Sequence, residues 1–203
     1  MTPDWIAPNR TALLVIDMQV DFGSPDGALA LQGADVTAAQ TALAKAEALT
    51  AAARAAKVPV IFVRLFTRGE KRIIAEEKTR RGDDSPDLCV EGTRGADFIG
   101  PQPQPGEAII SKTRYSAFAH TGLGEQLHAR DIDTLVLAGL TTECCVASSA
   151  WDAFERDFHV FIAADACAAY EPELHEQALK ALGLSGAVVA SVHDFSAGWK
   201  NGK

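Results

Sequence analysis

The protein has 203 residues, 47% hydrophobic and 23% charged, a composition typical of one soluble globular domain. Its formal net charge of −8 repels phosphate backbones and anionic membrane surfaces, so neither nucleic acid nor a membrane is an expected partner. Four cysteines are too few for a disulfide scaffold. Because no stretch resembles a signal peptide or a membrane span, we expect a single cytoplasmic domain over residues 1–203 with mostly reduced thiols.

Short apolar runs rich in β-branched residues predict six buried strands. They are Ala12–Ile16, Val58–Val63, Ala108–Ile110, Thr134–Ala138, Val160–Ala163 and Ala187–Ala190. Apolar residues at helical spacing predict three amphipathic helices, over Asp35–Lys57, over Val146–Phe158 and from Pro172 to Gly183. Alternating strands and helices with right-handed crossovers predict an α/β fold, a three-layer αβα sandwich around a six-stranded, mainly parallel, Rossmann-like sheet.

The segment from Leu65 to Gly106, about residues 65–106, interrupts this alternation because it is long, charged and without periodicity. Loops of this length are usually functional or disordered. One interpretation is a solvated insert with a short helix through Ile73 and Ile74. The other is a lid or an oligomer contact over the active site. Its basic residues are Arg68, Lys71, Arg72, Lys78, Arg80 and Arg81.

Chemically useful side chains follow three of the predicted strands. Asp17 comes directly after the first strand, Lys112 just after the third, and Gly139–Val146 leads from the fourth strand into a helix. Ligands of an open parallel sheet bind outside the carboxyl ends of the strands. We therefore expect an acid, a base and a thiol to meet at this edge.

Such a trio can support nucleophilic catalysis. A helix N-terminus and the Lys112 ammonium both favour a thiolate, and Asp17 can take a proton and deliver it to a leaving amine. Backbone N–H groups at the turn after the fourth strand can hold an oxyanion. Taken singly, however, an Asp after a strand often only caps a turn, and a Lys there is often merely solvated.

Five motifs resemble those of the isochorismatase-like cysteine hydrolases, a family that includes N-carbamoylsarcosine amidohydrolase, nicotinamidase and hydrolases of biuret and ureidoacrylate. The motifs occur in the family's order and spacing across nearly the whole chain. They are LLVIDMQVDF (Leu13–Phe22), GTRGADF (Gly92–Phe98), SKTRYSAF (Ser111–Phe118), GLTTECCV (Gly139–Val146) and ADACAAY (Ala164–Tyr170).

The resemblance implies a catalytic triad, with Asp17 as proton carrier, Lys112 as cation and Cys145 as nucleophile. It also implies a cis peptide at Leu140–Thr141 and an oxyanion hole formed by the N–H groups of Thr141 and Cys145. Cys144 receives no role, although a vicinal disulfide between Cys144 and Cys145 is an open alternative. The remaining two thiols, Cys89 and Cys167, are expected to be structural.

The sequence also departs from part of the family. Nicotinamidases carry metal-binding histidines between the first and third strands, whereas all five histidines here follow Lys112. We therefore expect no metal and no cofactor. Glu171 and His175, four residues apart, are expected to form a surface ion pair rather than a metal site. The family members that cleave a vinyl ether lack the cysteine, so Cys145 indicates hydrolysis of a C–N bond.

The predicted function is metal-free hydrolysis of a small amide, ureide or N-carbamoyl compound through a thioester, by an enzyme acting on C–N bonds other than peptide bonds. Candidate substrate-binding residues are Gln19, Phe22, Phe66, Tyr115 and Tyr170, each of which has core packing as its alternative role. The arginines of the insert are candidate ligands of a substrate carboxylate. We expect a homo-oligomer, a dimer or tetramer. The alternatives are a non-enzymatic structural or regulatory subunit, or a nicotinamidase-type amidase without its metal site.

Overall fold

A computed structural model describes residues 3–67, 75–76, 78–80, 82 and 86–201. Six strands are present: β1 (Thr11–Ile16), β2 (Val60–Leu65), β3 (Ala108–Lys112), β4 (Thr134–Leu140), β5 (His159–Ala168) and β6 (Val188–Ala190). They form one sheet in the order β3-β2-β1-β4-β5-β6. Every pair is parallel, so the predicted α/β fold is confirmed and the sheet is wholly rather than mainly parallel.

The helices are α1 (Val20–Gly23), α2 (Ala28–Leu31), α3 (Thr37–Ala55), α4 (Leu123–His128), α5 (Ala147–Phe154), α6 (Pro172–Ser185) and α7 (Val192–Asn201). The three predicted helices correspond to α3, α5 and α6. The second was predicted too long, because α5 ends at Phe154 and a left-handed residue, Asp157 with a φ of 65°, turns the chain towards β5. No helix of the described residues is long and apolar enough to cross a bilayer.

The helices cover both faces of the sheet. Along β1, Leu14 and Ile16 pack in a core with α4, α5 and α6, whereas Leu13 and Val15 pack in a second core with α3 and α7. Because successive side chains of a strand point to opposite faces, a strand covered on both sides is apolar throughout. All six residues of β1 are buried, and this arrangement is the expected three-layer sandwich.

The later part of the segment 65–106 packs onto the body of the protein. Isolated bridges join Thr67 to Val90 and Gln19 to Phe98. The buried Asp21 carboxylate accepts a hydrogen bond of 2.7 Å from the backbone N–H of Cys89. Part of the basic stretch, namely Arg68, Lys71, Arg72 and Arg81 with the expected helix at 73–74, lies outside the described residues, whereas Lys78 and Arg80 lie within them.

Candidate active site

Three side chains meet at the carboxyl edge of the sheet. Asp17 follows β1, Lys112 is the last residue of β3, and Cys145 lies in a five-residue π-helical turn, Thr142–Val146, after β4. Lys112 Nζ is 2.6 Å from Asp17 Oδ2 and donates a hydrogen bond of 3.3 Å to Cys145 Sγ. The acid, base and thiol expected from the sequence are therefore brought together, with Lys112 between the other two.

The end of β4 is shaped by Gly139. Its φ is 148°, and a Cβ at this position would lie 2.1 Å from the carbonyl oxygen of Ile16 in the neighbouring strand. Glycine therefore lets β4 approach β1 at the point where the chain leaves the sheet. The peptide bond between Leu140 and Thr141 is cis, as the resemblance implied. The Thr141 carbonyl then accepts hydrogen bonds of 3.2 Å from the N–H groups of Cys144 and Val146.

A buried serine ties the nucleophile's turn to the loop that follows Lys112. Ser149 Oγ donates a hydrogen bond of 2.6 Å to the Cys145 carbonyl and accepts one of 2.9 Å from the Ala117 N–H. Lys112 Nζ also donates to the Arg114 carbonyl at 3.0 Å. The positions of the thiol and the ammonium are thus coupled through backbone as well as through their direct contact.

Burial dominates the electrostatics of the site. The side chains of Asp17 and Lys112 have no exposed surface. Burial raises the pKa of Asp17, although the Lys112 charge opposes the shift. For Lys112, burial acts to lower the pKa, but the interactions with the Asp17 carboxylate and the Cys145 sulfur together outweigh it, so the pKa lies above the ordinary lysine value.

The pKa of the Cys145 thiol corrects the sequence-based expectation of a resting thiolate. Burial, and then the Asp17 charge, raise this pKa well above its usual value, and Lys112 only partly offsets them. Burial therefore favours the thiol over the thiolate. Its ionisation depends on an adjacent base with a raised pKa, and Asp17 is such a base.

A cavity of about 750 Å³ opens onto Cys145. Three of the five predicted substrate-binding residues line it: Phe22, Tyr115 and Tyr170. Tyr170 Oη donates a hydrogen bond of 2.7 Å to the Phe22 carbonyl, which fixes one wall. The volume suits a small organic molecule.

The other two predicted substrate-binding residues, Gln19 and Phe66, are not among the described residues that line this cavity. Gln19 is fully buried; its Nε2 donates to the carbonyls of Leu65 and Ala96, and its Oε1 accepts from the Leu65 N–H. Its amide therefore holds β2 and the insert in place. Phe66 is 8% exposed, and its ring lies under the Arg64 guanidinium, 4.6 Å from ring centre to Cζ.

Several residues of the cavity wall were missed by the sequence reasoning. The polar ones are Glu76, Thr113, Arg114 and Glu143, and the apolar ones are Leu29, Leu65 and Leu88; Cys144 also lines the cavity, as does Arg80, one of the insert arginines predicted to bind a substrate carboxylate. A signal for three of them was present. Thr113 and Arg114 directly follow Lys112, and Glu143 lies two residues before Cys145, so positions next to a catalytic motif were candidates for cavity contact.

His175 has a different partner from the one expected. Its Nδ1 lies 2.8 Å from Thr142 Oγ1, in the turn that carries Cys145, so it does not form the surface ion pair with Glu171. Burial lowers the pKa of His175, against the raising effect of Glu176 and Glu143. The described residues contain no group of three histidine, cysteine or acidic side chains placed to hold a metal ion.

Comparison with known proteins identifies the family. The profile of the Isochorismatase domain matches residues 11–194. The chain belongs to the isochorismatase family. It is 33% identical to ureidoacrylate amidohydrolase RutB of Agrobacterium fabrum, over 95% of this chain and 91% of that protein. It is also 33% identical to the RutB of Rhizobium rhizogenes, over 96% of this chain and 85% of that protein.

Solved structures of other hydrolases share the fold. A cysteine hydrolase from Pseudomonas syringae pv. phaseolicola has a TM-score of 0.85 at 26% identity, covering 98% of this chain and 96% of that one. The nicotinamidase/pyrazinamidase PncA from Bacillus subtilis has a TM-score of 0.77 at 31% identity, covering 90% and 100%. The family match and the RutB relatives confirm the predicted enzyme class, a hydrolase of C–N bonds other than peptide bonds, and do not support a non-enzymatic subunit.

Proposed function

We propose that the protein hydrolyses a small amide, ureide or N-carbamoyl compound with Cys145 as nucleophile, Asp17 as proton carrier and Lys112 as the cation that holds both. The observation that carries this assignment is the placement of Lys112 Nζ, 2.6 Å from the Asp17 carboxylate and 3.3 Å from the sulfur of Cys145, the member of the three that lines the cavity. A thiol with a raised pKa requires a base in contact with it. Asp17 supplies that base.

The proposed reaction has two halves. In the first, Asp17 accepts the thiol proton, Cys145 Sγ attacks the substrate carbonyl, and the N–H groups of Thr141 and Cys145 stabilise the oxyanion. As the C–N bond breaks, Asp17 gives the proton to the departing nitrogen, which leaves as ammonia or an amine. In the second half, Asp17 takes a proton from water, whose oxygen attacks the thioester; the proton returns to the sulfur as the C–S bond breaks.

Two arginines at the cavity favour a substrate that carries a carboxylate. Arg80 and Arg114 line the cavity, and neither forms an ion pair with a carboxylate of the described residues. A guanidinium binds a carboxylate through two parallel hydrogen bonds. A ureido acid such as ureidoacrylate, the compound in the RutB relatives' name, combines the two groups that this cavity suits.

The test compares two neighbouring cysteines. We expect Cys145→Ala to abolish ammonia release and Cys144→Ala to keep most of it, measured across ureidoacrylate, N-carbamoyl amino acids, simple amides and nicotinamide. Equal loss in both variants contradicts the choice of nucleophile. Turnover of nicotinamide in preference to the acids favours the nicotinamidase-type alternative over a carboxylate-bearing substrate.

We also propose that the protein is a cytoplasmic homo-oligomer. A second cavity of about 560 Å³ lies at the opposite edge of the sheet, and large apolar residues with 40–76% exposure line it: Trp5, Phe154, Leu184 and Val188. Exposed apolar patches of this kind are typical of protein interfaces. No disulfide joins the cysteines of the described residues, which fits a reducing compartment. Light scattering that gives a monomer mass contradicts the oligomer.

A further inference from the structure

Glu143 is an acidic residue of the cavity wall, and only one of its two carboxylate oxygens accepts a hydrogen bond from the described residues. It lies in the π-helical turn, two residues before Cys145. Its Oε1 accepts a hydrogen bond of 2.8 Å from Thr141 Oγ1. Its Oε2 is buried and receives no hydrogen bond from the described residues.

A buried acceptor without a donor is costly, about 1–3 kcal/mol and more for a charged group, so native structures seldom keep one without a reason. His175, a residue of the neighbouring helix α6, has its Nδ1 at 2.8 Å from Thr142 Oγ1 and forms no hydrogen bond with Glu143. Arg80 and Arg114 share the cavity but are not within ion-pair distance of Glu143. A molecule bound in the cavity can supply the donor that Glu143 Oε2 lacks.

An amide or ureide group offers the matching pattern. Its carbonyl oxygen accepts hydrogen bonds, and the nitrogen on the same carbon donates them. Residues 141–145 carry groups of the opposite hydrogen-bonding type. The N–H groups of Thr141 and Cys145 are donors, and the carboxylate of Glu143, which lies between them in the chain, is an acceptor. An ester has the same carbonyl but no N–H to give to Glu143.

We propose that Glu143 is a specificity-determining residue that accepts a hydrogen bond from the N–H of the substrate's scissile amide or ureide group. This inference rests on the proposed function and adds to it the basis for preferring C–N over C–O substrates. A site that hydrogen-bonds a substrate N–H discriminates strongly against analogues that lack it, because the buried acceptor is then left unpaired.

The test uses Glu143→Gln, which keeps the shape of the side chain and an oxygen for Thr141 but places an amide donor where Oε2 was. The substrates are succinamate and monomethyl succinate, which share acyl group and carboxylate and differ only in the bond cleaved. We expect kcat/KM for the amide to fall 10- to 100-fold and that for the ester to change less than about twofold. Glu125→Gln, at an exposed site on α4, is the matched control and should change neither.

Equal losses on both substrates indicate a merely structural role and overturn the proposal, as does an unchanged amide rate. Binding gives a second readout that needs no turnover. By calorimetry, 3-ureidopropionate should bind Cys145→Ala at least tenfold more tightly than it binds Cys145→Ala/Glu143→Gln, and equal affinities again overturn the proposal. Failure of the proposed function is distinguishable, because either the wild type would then not hydrolyse succinamate or Cys145→Ala would still do so.

Discussion

Replacing Asp17 by asparagine tests the buried triad through both stability and turnover. The substitution removes one charge and almost no volume, so it creates no cavity. It leaves the Lys112 ammonium, which has no exposed surface, without its carboxylate partner at 2.6 Å. Removing one member of a buried ion pair typically costs about 3–5 kcal/mol, because an uncompensated charge remains in the interior.

The expected size of the effect follows from that cost. For a domain of about this length, each kcal/mol lowers the melting temperature by roughly 2–4 °C, so Asp17→Asn should melt roughly 10 °C below the wild type. Loss of the general base should also lower kcat by about 10²- to 10⁴-fold. Calorimetry measures the change in melting temperature. Ammonia release, assayed below the variant's melting point, measures the loss in kcat.

The control for Asp17→Asn is Asp133→Asn. Asp133 pairs with Arg10 at the surface, where the two side chains are 39% and 44% exposed, and such pairs contribute at most about 1 kcal/mol. The control should therefore keep wild-type turnover and nearly wild-type melting. An Asp17→Asn protein that melts no lower than the control, or that keeps more than a tenth of the turnover, refutes the account of the triad.

Three further variants or conditions probe the same site. Ser149→Ala should cost about 1–3 kcal/mol in unfolding free energy and lower kcat about tenfold, since a buried N–H and the Cys145 carbonyl lose their partner; wild-type melting and kcat contradict this. Gly139→Ala should destabilise the protein by several kcal/mol on chemical denaturation, because the added Cβ would lie 2.1 Å from the Ile16 carbonyl oxygen. Gly183→Ala in α6 is the control; its added Cβ would have its nearest neighbour at 3.4 Å, so this variant should be neutral or slightly stabilising. Alkylation of Cys145 by iodoacetamide should keep accelerating above pH 9, because burial and the neighbouring carboxylate raise the pKa of the thiol; a rate that is already constant at neutral pH would show a preformed thiolate instead.

Periodicity sufficed to locate the sheet and, through it, the candidate site. The apolar run at residues 12–16 predicts β1, and the rule that parallel strands share a carboxyl edge then places Asp17 near Lys112 and Cys145. This works because a strand buried on both faces must be apolar along its whole length, and β1 is. The choice between Cys144 and Cys145 required the family resemblance, since spacing treats neighbours alike.

Side-chain roles that depend on contacts between distant parts of the chain could not be predicted from the sequence. Gln19 lies next to the active site in the chain, but its amide bonds to backbone 46 and 77 residues away. Helical spacing predicts an ion pair between His175 and Glu171, whereas the His175 ring forms a hydrogen bond with Thr142, 33 residues away. The raised pKa of Cys145 follows from how deeply the folded chain buries the thiol, which no local pattern reports.

The most direct measurement of which cysteine is the nucleophile is mass spectrometry of the enzyme quenched in acid during turnover. We expect an acyl adduct on the peptide that contains Cys144 and Cys145, retained in Cys144→Ala and absent in Cys145→Ala. An adduct that survives in Cys145→Ala, or that disappears in Cys144→Ala while turnover continues, would contradict Cys145 as the nucleophile.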